Sequence, residues 1–157
     1  MSDTRSALTG GFVAGLLDIV YACVVFGIRN HVPTMRIGQG IASHVLGAAS
    51  FDGGWGTAIL GFALHFAIAI VMALVLLMIC RLVPLVARHV LVFAPVYGLI
   101  LYAVMTYAVL PLTDPKHAGL PAFPPAINFG FYSAMFAHIV LVALTIALFL
   151  KPAVKEA

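Results

Sequence analysis

Residues 55–80 read WGTAILGFALHFAIAIVMALVLLMIC. The stretch holds no Asp, Glu, Lys or Arg, and its one imidazole, His65, stands near its middle. A helix needs about 20 predominantly apolar residues to cross a bilayer. A surface helix of a soluble domain would show a polar face, and this run shows none. Three further runs of the same kind accompany it: Ala7–Ile28, His89–Leu110 and Pro125–Leu150. None alternates apolar with polar residues, which excludes a closed β-barrel. The expected fold is all-α, a four-helix transmembrane bundle forming one integral membrane domain over residues 1–157.

The rest of the chain agrees. Of its 157 residues, 64% are apolar and 8% are charged, whereas about a quarter of a typical soluble domain is charged. That excludes a soluble globular fold and a disordered chain. The net charge of +3 comes from eight basic and five acidic side chains scattered along the sequence, with no basic run. A nucleic-acid partner is therefore not expected, and the lipid bilayer is. The first run exceeds a signal-peptide core and carries Asp18, so it reads as a retained helix. Cys23 and Cys80 fall toward opposite membrane faces, too far apart for a disulfide, and read as small packing residues.

The basic residues set an orientation. One side holds Arg5, Arg81, Arg88, Lys151 and Lys155; the other holds Arg29, Arg36 and Lys116. The excess places both termini in the cytoplasm, with Trp55 and Tyr107 near the outer interface. The connections differ in kind. Arg81–Arg88 is short, carries Pro84 and predicts a tight antiparallel hairpin of helices two and three. Pro111–Pro125 carries five prolines and reads as a rigid irregular loop. Within Arg29–Gly54, Ile37, Ile41 and Val45 recur at helical spacing, with Gln39, Ser43 and His44 elsewhere. This predicts a short amphipathic helix over about 35–50, lying at the outer interface or dipping into it. An internal duplication is also suggested. Val13–Leu17 resembles Val96–Ile100, and aligning His65 with His138 pairs helices two and four.

Ionisable groups inside a bilayer are costly, about 2.5–3.5 kcal/mol for Asp at a helix centre. Asp18, His65 and His138 are the central candidates. At 1.5 Å per residue all three lie roughly 15–20 Å below the outer surface. Small residues flank each at helical spacing: Gly11, Ala14, Gly15 and Ala22 around Asp18; Ala58, Gly61, Ala69 and Ala73 around His65; Gly130, Ala134 and Thr145 around His138. Small residues mark helix contacts in membranes, so the three are expected to point inward and meet. A first role is a clamp in which Asp18 accepts a hydrogen bond from an imidazole and fixes helix register. A second is a protonation site. A third is a divalent metal or haem site on Asp18, His65 and His138, although no H-x-x-x-H or E-x-x-H spacing accompanies it. His44, on the short helix, is the one other imidazole that could reach the mouth of the bundle. Tyr21, Tyr97, Tyr102, Tyr107 and Tyr132 read as packing and belt residues, and Asn128 as a helix-start group.

Enzyme motifs are absent: no G-x-S-x-G, P-loop, H-E-x-x-H, C-x-x-C or C-x-x-C-H occurs. The segment Gly11-Phe12-Val13-Ala14-Gly15-Leu16-Leu17-Asp18, followed by Leu60-Gly61-Phe62-Ala63-Leu64-His65-Phe66, resembles small uncharacterised four-helix inner-membrane proteins of bacteria. The resemblance implies a multi-pass bacterial inner-membrane location and nothing about a reaction. The expected role is a non-enzymatic accessory or structural subunit, alone, as a homo-oligomer or within a larger membrane complex. The alternative is a protein that handles protons, a metal or haem at the polar layer.

Overall fold

A computed structural model describes residues 3–113 and 125–155. Among them every regular element is helical. The first rod is α1 (Asp3–Asn30), and α2 (Thr34–Leu46) follows as a short helix continued by a 3₁₀ segment, Gly47–Asp52. The second rod is α3 (Gly54–Leu82). After the one-turn α4 (Pro84–Arg88), the third rod runs through α5 (Val90–Val104), a π-helical turn (Met105–Val109) and α6 (Leu110–Thr113). The fourth is α7 (Phe129–Phe136), a π-helical segment (Ala137–Leu144) and α8 (Thr145–Lys155). Four of these stretches are long and apolar enough to cross a membrane. Their outward faces expose large aliphatic side chains, among them Val92 at 71% and Ile59 at 62%.

Rod boundaries follow local chemistry. The third extends past Leu110 because the π turn absorbs Pro111. Leu110 N–H donates to Met105 O, five residues back, just where the proline can offer no N–H of its own. The fourth starts at Phe129 rather than Pro125. There the Asn128 side chain caps it, Oδ1 accepting from Phe131 N at 3.1 Å, as a helix-start residue does. The expected proline-rich loop lies, from 114 to 124, outside the described residues.

Close approach of small residues sets the packing. A Cβ on Gly11 would stand 2.9 Å from Ile70 Cα, and one on Gly15 would stand 3.0 Å from Ala69 Cβ and 3.1 Å from Phe66 Cδ1. Thus α1 lies directly on α3. On its other side α1 meets the fourth rod, where a Cβ on Gly10 would touch Phe149 Cβ at 2.9 Å. The third rod joins through Gly98, whose added Cβ would meet Ile139 Cα at 2.6 Å and His138 O at 2.8 Å. Gly15 against Phe66 and Gly98 against Ile139 are equivalent contacts when His65 is aligned with His138, so the two hairpins share their central seam.

Two expectations need correction, and α2 adds a packing that its spacing does not reveal. Helices two and three do not form a tight hairpin, because α5 packs mainly on the fourth rod and meets α3 only narrowly. The small residues of α5, Ala94 and Gly98, favour the closer partner. Tyr97 spans the remaining gap, its hydroxyl donating to Met72 O at 2.6 Å. Next, the most buried residues of α2 lie beside its apolar stripe: Gly38, Gln39 and Ala42 are buried, Ile37 and Ile41 are half-buried and Val45 is exposed. The cause is again steric. A Cβ on Gly38 would strike Ala58 O at 2.6 Å, and one on Gly61 would land on the Gly38 carbonyl oxygen. Buried Gln39 donates to Gly54 O at 3.1 Å and to Phe51 O at 3.4 Å. The α-helical part also ends at Leu46, where Gly47 takes φ 62°. Finally, Gly130 and Thr145 do not line the buried face of the fourth rod, which instead carries Ala137, Val142, Ala143, Ile146, Ala147 and Leu150. For Thr145 the cause is the π segment, which takes more residues per turn than the spacing of 3.6 assumes, so that spacing fails across 137–144; Gly130 lies at the exposed start of α7.

Toward the end that joins Asp3 Oδ2 to Arg81 Nη2 at 3.6 Å, the interior is closely filled. Leu76, Val90, Ile146 and Leu150 are almost wholly buried there. The α2–α3 crossing gives a test. Gly61→Ala presses a methyl on backbone and should destabilise the fold by about 1–3 kcal/mol. Gly40→Ala, with nothing within 4 Å, should be neutral or stabilise by about 0.4–1 kcal/mol. Thermal unfolding in detergent compares the two; equal effects would contradict the crossing.

Candidate functional site

The site is built where the close α1–α3 seam loosens. Gly15 lets α3 approach so near that His65 Nε2 donates to Gly15 O at 2.9 Å. One turn further along α1, Asp18 Oδ2 stands 3.9 Å from the same nitrogen. That is an ion-pair distance, and too long for a hydrogen bond. The imidazole is already committed to a carbonyl left accessible by the glycine. The expected clamp is therefore corrected in its acceptor: the inter-helix bond runs to the Gly15 backbone, and the Asp18 carboxylate receives no hydrogen bond among the described residues. Asp18 and His65 side chains remain 26% and 18% exposed.

His138 comes from the π segment of the fourth rod. Its Nδ1 donates to Ala134 O at 2.9 Å on its own helix, and its ring meets Tyr102 edge-on at 5.9 Å between centroids. It bonds neither Asp18 nor His65, yet it remains within electrostatic reach of the carboxylate. His44 arrives from α2. Its Nδ1 is 2.9 Å from Thr113 Oγ1. The Thr113 hydroxyl gives its one proton to Val109 O at 2.7 Å, so the imidazole is the donor here as well.

Asp18, His44, His65 and His138 all line one cavity of about 490 Å³. Its remaining wall is largely apolar and includes Phe26, Ile41, Ile68, Met72 and Met105. Asp18 and Phe26 also border a second cavity of about 560 Å³, between α1 and α7. Tyr21 OH and Ser133 Oγ, 3.0 Å apart, lie in its wall. Arg29 lies toward its far end, with its guanidinium 3.9 Å above the Phe129 ring. Both cavities occupy the half of the molecule away from the Asp3–Arg81 end. Asp18 stands between them, over the filled half.

The structure thus brings the three expected residues and His44 to one cavity without joining them into one hydrogen-bonded cluster. No three His, Cys, Asp or Glu side chains among the described residues are placed to hold a metal ion. Cys23 and Cys80 are free. Two groups here were not expected from the sequence, the Tyr21–Ser133 pair and Thr113. Tyr21 is one helical turn from Asp18, which was a usable signal. Thr113 meets His44 only through α2 folding back on the bundle, which no local spacing reports. No family model, curated protein or solved structure matches the chain.

The hydrogen bonds fix the neutral tautomers. Nitrogen-15 NMR of histidine-labelled protein at neutral pH should show the proton on Nε2 of His65 and on Nδ1 of His138 and His44. The opposite tautomer at His65 would break the bond to Gly15.

Proposed function

We propose that this chain is a small multi-pass protein of the bacterial inner membrane, with both termini cytoplasmic, that binds a small ligand at Asp18 without catalysing a reaction. The observation that carries the reading is the state of that carboxylate. It lines two cavities and accepts no hydrogen bond among the described residues. A buried acid kept for stability would be expected to have its acceptors filled. Apolar cavities of a few hundred cubic ångströms with a few convergent polar groups are the usual form of ligand sites. The absence of enzyme motifs supports a binding role.

Membrane insertion is supported by the four apolar rods and by the aliphatic side chains on their outer faces, which lipid would cover. On this reading α2 is a re-entrant element in the outer half rather than a surface float. It packs along Ala58–Phe62 of α3 through Gly38 and delivers His44 to the cavity. Resemblance to small bacterial inner-membrane proteins supports the location. The structural share of the polar layer belongs to His65, through its bond to Gly15.

Two substitutions separate these roles by sign. An acid at membrane depth carries an insertion cost, so Asp18→Asn should leave thermal stability unchanged or raise it. His65→Leu removes an inter-helix bond and should lower stability by about 0.6 kcal/mol, the average for such contacts. Thermal unfolding of both variants in detergent decides. A clear loss on Asp18→Asn would return Asp18 to a purely structural role.

A further inference from the structure

Resting on the ligand-binding reading of Asp18, we propose that the ligand is a protonated amine carrying an apolar body, its ammonium held at Asp18 and its body in the cavity closed by α2. The charge of the cavity favours a cation. Among the described residues Asp18 is the only formally charged side chain lining that cavity. The nearest basic residue on its helix toward the cavities is Arg29. It lies three turns away, about 16 Å along α1 at 1.5 Å per residue, and stands over the Phe129 ring.

The balance of donors and acceptors favours a ligand that donates. The polar side chains lining this cavity are Asp18, His44, His65, His138 and Thr113. Every N–H or O–H among them in the neutral state is already given to a protein acceptor. His65 Nε2–H goes to Gly15 O, His138 Nδ1–H to Ala134 O, His44 Nδ1–H to Thr113 Oγ1, and the Thr113 hydroxyl to Val109 O. What is left is acceptors: both Asp18 oxygens, Nδ1 of His65, and Nε2 of His138 and His44. A lining of acceptors around one negative charge suits a ligand that is a cation and a donor together. A carboxylate or phosphate would meet no donor and one like charge. A neutral alcohol would satisfy one acceptor and leave the charge uncompensated. A quaternary ammonium carries the charge with no N–H to give.

The wall suits an apolar body. Phe26, Ile41, Ile68, Met72 and Met105 supply an apolar surface within a volume of about 490 Å³, room for an arylalkyl or short alkyl chain. Phe26, two helical turns from Asp18 along α1, lines both cavities, and its ring adds apolar surface for the ligand's body rather than for its ammonium.

The test uses the full chain in lipid nanodiscs and equilibrium dialysis with radiolabelled 3-phenylpropylamine and a series of shorter and longer primary amines at neutral pH. Saturable binding is expected. Competition by the matching alcohol, carboxylate and trimethylammonium compound should be at least tenfold weaker than by the amine. Asp18→Asn should weaken amine binding at least tenfold while its thermal unfolding stays at the wild-type value or above. Non-saturable uptake across the whole series, or equal uptake by Asp18→Asn, overturns the amine assignment. So does saturable binding of the carboxylate or alcohol in preference to the amine, although an Asp18-dependent site of that kind would leave the ligand-binding reading standing. Stoichiometric Zn²⁺ uptake that excludes the amine likewise overturns it, giving the acceptors to a metal. Loss of folding in Asp18→Asn together with no saturable ligand would remove both readings.

Discussion

The approach of α1 to α3 at Gly11 and Gly15 is the constraint on which the rest of this structure depends. With no side chain at either position, the backbones come within reach of one another. The Gly15 carbonyl can then take the His65 proton at 2.9 Å. That one bond decides the state of Asp18. An imidazole committed to the backbone cannot also satisfy the carboxylate beside it, so the acid is positioned by the seam and left unsatisfied by it. A larger residue at Gly15 would separate the helices, free His65 and allow a direct Asp–His pair. The seam is small-sided because only residues without large side chains let two helix backbones approach this closely.

From this seam the molecule divides into two halves of different character. Toward the Asp3–Arg81 end the rods close over Leu76, Leu77, Ile146 and Leu150. Toward the other end they diverge, and the cavities open around Asp18. The two π-helical segments belong to this division. One carries His138 and shifts the face of the fourth rod; the other lets the third rod pass Pro111 and bring Thr113 to His44. Irregular helix turns of this type recur at functional sites because they re-aim side chains that a regular helix would hold elsewhere. A filled half behind a hollow one suits binding from one side better than passage through the bundle.

Much of this was legible from the residues. Four apolar runs gave the rods within a few residues. Gly11 and Gly15 near Asp18 and Ala69 and Ala73 near His65 marked the seam, because α1 and α3 are regular helices and the spacing of 3.6 holds along them, whereas Ala58 and Gly61 meet α2 instead. The same rule failed for His138, where the π segment changes the period with no sequence mark as plain as a proline. For α2 the spacing of Ile37, Ile41 and Val45 pointed to a helix but not to the backbone it packs against, which Gly38 and Ala42 are small enough to meet. The pairing of His65 with Gly15 rather than Asp18 was also beyond the sequence. Backbone carbonyls and carboxylates are both acceptors, and only geometry tells which of them the imidazole reaches.

The central claim is that Asp18 faces a cavity rather than a sealed core, and cysteine accessibility tests it most directly. In a background with Cys23 and Cys80 replaced by serine, Asp18→Cys and His138→Cys would be exposed to a small cationic methanethiosulfonate, with Ala73→Cys and Ala143→Cys from the filled half as references. The account predicts rapid modification at 18 and 138, reached from the Arg29 end, and near inertness at 73 and 143. Equal inertness at all four positions would contradict it.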